Sequence, residues 1–99
     1  MKTAIELIAD ERKRQIEEEG WDQTHDDMYD DDQLANAAAS YALCHFQRGD
    51  FGWERPHFWP FQSKWWKPTP DDRIRELTKA GALIVAEIER LQRLPIIEK

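Results

Sequence analysis

The sequence predicts an all-α fold, a small helical bundle of three main helices with a Trp- and Pro-rich connecting loop. In three segments, apolar residues recur at intervals of three and four, which is the period of an amphipathic helix. Between the second and third segments, Pro56, Pro60 and Pro68 interrupt any helix or central strand. The 99 residues form a single domain, 1–99. A domain of this size buries a modest core and often relies on a partner subunit.

Helix one is predicted from about Thr3 to Glu19. Thr3 and Glu6 have the spacing of a capping box, and Gly20 suits the position after the last turn. One helical face carries the apolar residues Ile5, Ile8, Ala9 and Ile16, and close to the same face lie Arg12, Gln15 and Glu19. The stripe therefore changes from apolar to polar along the helix. Either the helix end leaves the core, or the polar residues line a site.

Helix two is predicted over roughly Asp32 to Gln47, with Asp30 and Gln33 as its cap. Five alanines between Ala35 and Ala42 favour close packing against another helix. His45 lies on the apolar face of this helix. We interpret it as a packed core histidine rather than a ligand.

Helix three begins at Thr69, with Pro70 in its first turn, and Pro95 ends it. Its apolar residues step by three and four in strict alternation: Ile74, Leu77, Gly81, Ile84, Ile88 and Leu91. This pattern predicts a packing seam, and Gly81 would allow another backbone to come close. So long a seam in a chain with few helices predicts a homo-oligomer, a dimer or tetramer.

An acidic stretch separates the first two helices. It holds nine of the twenty acidic residues and no Lys or Arg: Glu17, Glu18, Glu19, Asp22, Asp26, Asp27, Asp30, Asp31 and Asp32. Such a stretch repels itself unless it is solvated, caps a helix or binds a cation. Mg²⁺ prefers carboxylate oxygens, so Glu19, Asp26 and Asp27, beside His25, are candidate metal ligands. The simpler interpretation is a solvated loop.

The segment from Arg48 to Pro68 carries seven aromatic residues: Phe51, Trp53, Phe58, Trp59, Phe61, Trp65 and Trp66. One interpretation is a hydrophobic lid over a small core. The other is a pocket in which a base stacks on Trp59, Trp65 or Trp66 while Lys64 or Lys67 binds phosphate. Both interpretations stay open from the sequence.

The composition argues against several classes of partner and structure. There are 14 Lys and Arg against 20 Asp and Glu, a net charge of −6, which argues against duplex nucleic acid or an anionic membrane as partner. Cys44, the single cysteine, cannot form an internal disulfide. The charged start is unlike a signal peptide, and no apolar run is long enough to span a bilayer. A cytoplasmic protein is predicted.

Several pieces of the sequence resemble a group of short phage and prophage proteins. They are Glu11–Ile16, Glu19–Trp21, His25–Asp27, Leu34–Ala42, Trp59–Pro60, Trp65–Pro68, Lys79–Ile84 and Glu87–Leu91. The group is similar, more distantly, to the MazG-like all-α nucleoside triphosphate pyrophosphohydrolases. This resemblance implies a helical, oligomeric protein that binds nucleotides. In the wider family, carboxylates on two helices bind Mg²⁺, and nucleoside triphosphates release pyrophosphate.

The expected metal motif of that family is altered here. Gln33 and Asn36 stand on helix two where the resemblance implies acids, and on helix three Glu76 is followed by Lys79 in place of an aspartate. A lysine in a two-metal site would repel the cations. Either Glu19, Asp26 and Asp27 bind the metal instead, or the protein binds nucleotides without hydrolysing them.

We therefore expect a protein that binds a small phosphorylated nucleotide and sequesters it. The expected ligand-binding residues are Gln15, His25, Trp59, Lys64, Trp65, Trp66, Lys67 and Lys79. The alternative is a Mg²⁺-dependent pyrophosphohydrolase, with Glu19 and Asp26 as its catalytic residues. A third hypothesis is a protein-interaction module that uses the tryptophan-rich segment.

Overall fold

The computed structural model describes residues 1–94, and within them the regular secondary structure is all helical, without a strand. The helices are α1 (Ala4–Glu19), α2 (Gln23–Asp27), α3 (Gln33–Ala42) and α4 (Arg73–Arg93). Three short 3₁₀ turns follow α3, at His45–Gln47, Asp50–Gly52 and Ser63–Trp65. No helix in this part of the chain is both long and apolar enough to cross a membrane. The all-α prediction is confirmed, although α2 was not predicted.

Helix α1 has the predicted ends. The Thr3 side chain accepts from the Glu6 N–H, and the Glu6 side chain accepts from the Thr3 N–H, which completes the capping box. Gly20 adopts a left-handed conformation with φ of 75°, where a side chain would be strained. These ends were predictable because each depends on residues within four positions of one another.

The core lies between α3, α4 and the tryptophan-rich segment. It consists of Leu34, Ala37, Ala38 and Tyr41 from α3, Trp59 from the segment, and Ala80, Leu83 and Ala86 from α4. The alanines on both helices let the two backbones pack closely, as the composition of α3 predicted. The core is thus built from one long helix, one short helix and an aromatic cover.

Helix α3 ends at Ala42 rather than near Gln47 because two arginines occupy its last carbonyl groups. Arg73 donates to the carbonyl oxygens of Tyr41 and Ala42, and Arg48 donates to that of Tyr41. The expected cap at the other end is also wrong. Asp32 precedes the helix in a left-handed conformation without a side-chain cap bond, and Asp30 does not cap it.

Helix α4 begins three residues later than predicted. Asp72 caps it by accepting from the Arg75 N–H, whereas the Thr69 N–H donates to the side chain of Glu76. Thr69 and Pro70 therefore precede the helix. The predicted stop at Pro95 lies outside the described residues.

The predicted seam of α4 faces away from the core. Its large residues are 47–69% exposed: Ile74, Leu77, Ile84, Ile88 and Leu91. The buried face carries Glu76, Ala80, Leu83 and Ala86 instead. A Cβ on Gly81 would lie 2.6 Å from Cδ1 of Ile8, so the close neighbour of this glycine is an α1 side chain.

The buried face of α1 is polar, which corrects the apolar stripe predicted for it. Ile5 and Ile16 are exposed, whereas Glu11, Arg12 and Gln15 are buried. Buried charged groups require partners, because an unpaired charge in the interior is costly. The partners of these three side chains define the site described next.

Candidate functional site

A cleft opens between α1, α2, the tryptophan-rich segment and α4. Its wide end has a volume of about 500 Å³, within the range of small-molecule pockets. Its narrow end holds about 30 Å³. Glu19, Trp21, Trp65 and Leu83 line both ends, so the two ends are adjacent.

An aromatic wall lines the wide end. The rings of Trp21 and His25 stack with centroids 5.7 Å apart and an interplanar angle of 10°. The edge of Tyr29 meets His25 at 4.9 Å, and Tyr29 in turn meets Phe61 at 5.1 Å. Leu34 and Leu83 supply aliphatic surface. This composition suits a flat, partly apolar ring system.

Charged groups line the narrow end. Arg14, Lys67 and Lys79 are its cations, and Glu11 and Glu19 are its acids. Both carboxylates are engaged by arginine, since Arg14 donates to Glu11 and Glu19, and Arg75 donates to Glu11. The Lys79 ammonium donates to the carbonyl oxygen of Lys67 at 2.7 Å. The two lysines thus carry charge that no carboxylate within hydrogen-bonding distance neutralises in residues 1–94.

Lys79 is held in an unfavourable environment for a cation. Burial lowers the pKa of Lys79, and the neighbouring charges of Arg75 and Arg14 lower it further, against the opposing effect of Glu11. A bound anion would relieve both the desolvation and the repulsion. The burial of Lys79 and the positive charges beside it therefore favour the binding of an anionic ligand.

Gln15 has an unsatisfied acceptor at the wall of the narrow end. Its Nε2 donates to Glu11 at 3.3 Å, while its buried Oε1 has no hydrogen-bond partner among the described residues. Although burial raises the pKa of Glu11, the Arg14 hydrogen bonds and the Arg75 charge outweigh it and lower that pKa. Glu11 is therefore an acceptor only, and it fixes the orientation of the Gln15 amide.

The three tryptophans predicted to stack on a base differ in exposure and in their position relative to the cleft. Trp65 is 41% exposed, lines both ends of the cleft, and has the ammonium groups of Lys64 and Lys67 over its ring at 5.4 and 5.6 Å. Trp59 also lines the wide end but is 7% exposed and belongs to the core. Trp66 stacks on Tyr41 at 4.8 Å and lines neither end. Within this segment, Trp59 and Trp66 thus cover the core as a lid, whereas Trp65 lines the cleft.

The predicted metal ligands are not brought together. Glu19 pairs with Arg14 at 3.0 Å, Asp26 with Arg12 at 2.7 Å, and Asp27 with Arg93 at 2.7 Å. Residues 1–94 contain no group of three His, Cys, Asp or Glu side chains placed to hold a metal ion. Three carboxylates that each bind a different arginine do not fit a Mg²⁺ site.

Glu76, the acid that the family resemblance placed in the metal motif, is also fully engaged. It is completely buried and accepts from Arg48 at 2.6 Å, from Arg73 at 3.1 Å, and from the Thr69 N–H at 2.9 Å. His45 Nε2 lies 2.9 Å from Oε1, the oxygen that also accepts from Arg73. The expected packed core histidine on helix two is wrong, because His45 lies in the 3₁₀ turn after α3 and its side chain is 31% exposed. Arg48, the first residue of the tryptophan-rich segment, is buried in the same cluster.

Comparison with protein-family models, curated proteins and solved structures found no match. The functional hypothesis therefore rests on the cleft. Sequence reasoning selected Gln15, His25, Trp59, Trp65, Lys67 and Lys79, which line it, and Lys64, which lies beside it. It missed Trp21, Tyr29, Phe61 and Arg14. Trp21 directly follows Gly20, the residue that ends α1. Its place in the sequence could therefore have indicated that its ring lies beside the end of this helix.

Proposed function

We propose that this protein binds a small phosphorylated nucleotide in the cleft and sequesters it without hydrolysis. The observation that carries the proposal is that an aromatic wide end adjoins a narrow end where Lys67 and Lys79 have no carboxylate partner among residues 1–94. The base and ribose occupy the wide end, between the aromatic wall and Trp65. Since the narrow end holds only about 30 Å³, the phosphates lie at its mouth, against Lys67 and Lys79.

The charge arrangement supports binding rather than hydrolysis. A metal-dependent pyrophosphohydrolase needs carboxylates that are free to coordinate Mg²⁺ and to activate water. The carboxylates of Glu11, Glu19 and Asp26 are each held by arginine. Lysine and arginine can hold phosphate directly, without a bridging cation.

The test determines whether the bound nucleotide remains intact. We expect protein incubated with a mixed nucleotide pool, then desalted and denatured, to release an intact nucleotide, with or without Mg²⁺. Bovine serum albumin carried through the same steps serves as the control. Release of monophosphate and pyrophosphate only when Mg²⁺ is present would contradict sequestration and favour the hydrolase.

We further propose that the protein is a homo-oligomer. The exposed α4 residues support this proposal because Ile74, Leu77, Ile84, Ile88 and Leu91 keep the heptad spacing of a helix–helix interface. A monomer would leave about half or more of each of these five side chains in water. Full burial of an exposed side chain of this size contributes about 1.5–3 kcal/mol, and burial of the exposed half contributes about half of that.

Sedimentation equilibrium at micromolar concentration is expected to show a species heavier than the 11.8 kDa chain. The double substitution Ile84→Glu and Ile88→Glu should shift the distribution towards the single chain. Phe46→Glu is the matched control, because Phe46 is 94% exposed and lies outside the seam. Wild-type protein that sediments only at 11.8 kDa would rule out the oligomer.

A further inference from the structure

We infer that His25 determines which base the cleft accepts, by presenting its Nε2 as a hydrogen-bond acceptor to an amino group on the edge of a purine. This inference rests on the proposed nucleotide binding and specifies the ligand as an aminopurine nucleotide. It follows from three features of the wide end: the buried carboxylate beside His25, the stacking of its ring, and the lack of a hydrogen-bond partner for Nε2 within residues 1–94.

The buried carboxylate sets the tautomer of His25. Nδ1 of His25 lies 3.0 Å from Oδ1 of Asp26, whose side chain is 1% exposed. The other oxygen of Asp26 accepts from Arg12 Nη2 at 2.7 Å, a bond in which the guanidinium supplies the hydrogen and the carboxylate is the acceptor. Nδ1 must therefore carry the hydrogen and donate it to Asp26. In the neutral ring, Nε2 is then an acceptor.

The orientation of the His25 ring is fixed as well. It stacks on Trp21, and Arg12 donates to the Trp21 carbonyl oxygen at 3.0 Å while it binds Asp26. One buried arginine thus holds both the carboxylate and the backbone beside the stacking partner. Asp26 and Arg12 are positioning residues, because neither lines the wide end.

Nε2 is the ring nitrogen that remains available to a ligand. His25 lines the wide end and has a side chain that is 27% exposed, and its one side-chain hydrogen bond within residues 1–94 is made by Nδ1. An acceptor in an aromatic pocket favours a base edge with an N–H donor, and a site that binds such a donor discriminates against analogues that lack it. The exocyclic amino groups of adenine and guanine are such donors, and their double rings suit a wide end of about 500 Å³.

The test compares nucleotides that differ by one amino group. Adenosine 5′-triphosphate is titrated against purine riboside 5′-triphosphate, and guanosine 5′-triphosphate against inosine 5′-triphosphate, by isothermal calorimetry on wild-type protein. In at least one pair, the amino compound should bind about fivefold more tightly, which corresponds to the usual net contribution of one hydrogen bond. His25→Phe retains a stacking ring, so it should abolish that preference, whereas His57→Phe, outside the cleft, should retain it.

The positioning role of Asp26 has a spectroscopic signature. Long-range ¹H–¹⁵N correlation spectra of the ligand-free protein at about pH 8 should show His25 with hydrogen on Nδ1 and a bare Nε2. Asp26→Asn would donate to Nδ1 and move the hydrogen to Nε2. If that variant does not fold, the wild-type spectrum alone still decides the tautomer.

Two results overturn the inference while leaving the proposed function intact: hydrogen on Nε2 in the wild-type spectrum, or equal affinity within both nucleotide pairs. Absence of binding by all four nucleotides would overturn the inference and the proposed function together.

Discussion

Replacing Glu76 with alanine is expected to cause the largest loss of stability of any single substitution in this chain. Its carboxylate accepts from Arg48, Arg73 and the Thr69 N–H, and His45 lies beside it. It thereby joins α4 to both ends of the segment that covers the core. Alanine would leave Arg48, which is 1% exposed, without its carboxylate partner. Loss of one partner from a buried ion pair costs about 3–5 kcal/mol.

Thermal melts check this expectation. For a domain of about this size, 1 kcal/mol shifts the midpoint by about 4–8 °C, so the change should be tens of degrees or complete unfolding. Glu89→Ala is the matched control on the same helix, since the Glu89 side chain is 49% exposed and should contribute at most about 1 kcal/mol. Similar melting of the two variants would show that the Glu76 cluster does not hold the segment.

The same cluster predicts a dependence of stability on pH. Burial alone would raise the pKa of Glu76, but the hydrogen bonds from Arg48, His45 and Arg73 outweigh it and lower that pKa to about 2. The contribution of Glu76 is therefore complete above the unfolded value of 4.5 and is lost as the pH falls towards 2. Wild-type melting should fall more steeply over this interval than that of Glu76→Gln.

The sequence predicted those parts of the fold that depend on near neighbours in the chain. The capping box of Thr3 and Glu6 spans three positions and was predictable. The end of α3 was not, because Arg73, which is 31 residues beyond Ala42, occupies its last carbonyl group. The face of α4 was also misassigned. Ala80 and Ala86, which contribute little to an apolar pattern, form the buried side together with Leu83, whereas the large residues of the predicted seam are exposed.

The sequence predicted which types of residue line the site, but it did not predict which charged side chains form ion pairs. Lys67, Lys79 and Trp65 were selected because cations and rings suit nucleotides, and all three line the cleft. The acidic stretch suggested a metal because Glu19, Asp26 and Asp27 are close in sequence. Their arginine partners lie on α1 and α4, and only the fold brings them together.

Removal of the Trp65 ring is expected to have the largest effect on binding. If a base stacks on Trp65, Trp65→Ala should weaken nucleotide affinity by roughly ten- to a hundredfold, since stacking contributes about 1–3 kcal/mol per base. Because Trp65 is 41% exposed, the melting temperature should remain near that of the wild type. Trp59→Ala is the contrasting variant: its ring is 7% exposed, and its loss should cost about 3–5 kcal/mol of stability.

Calorimetric titration of an aminopurine nucleoside triphosphate into wild-type protein and Trp65→Ala tests nucleotide binding in the cleft most directly. The cleft predicts one nucleotide bound per chain in the wild type without added Mg²⁺, and an affinity reduced at least tenfold in a Trp65→Ala protein that melts normally. Wild-type protein that binds no nucleotide, or a Trp65→Ala variant that binds as tightly as the wild type, would contradict the proposed site.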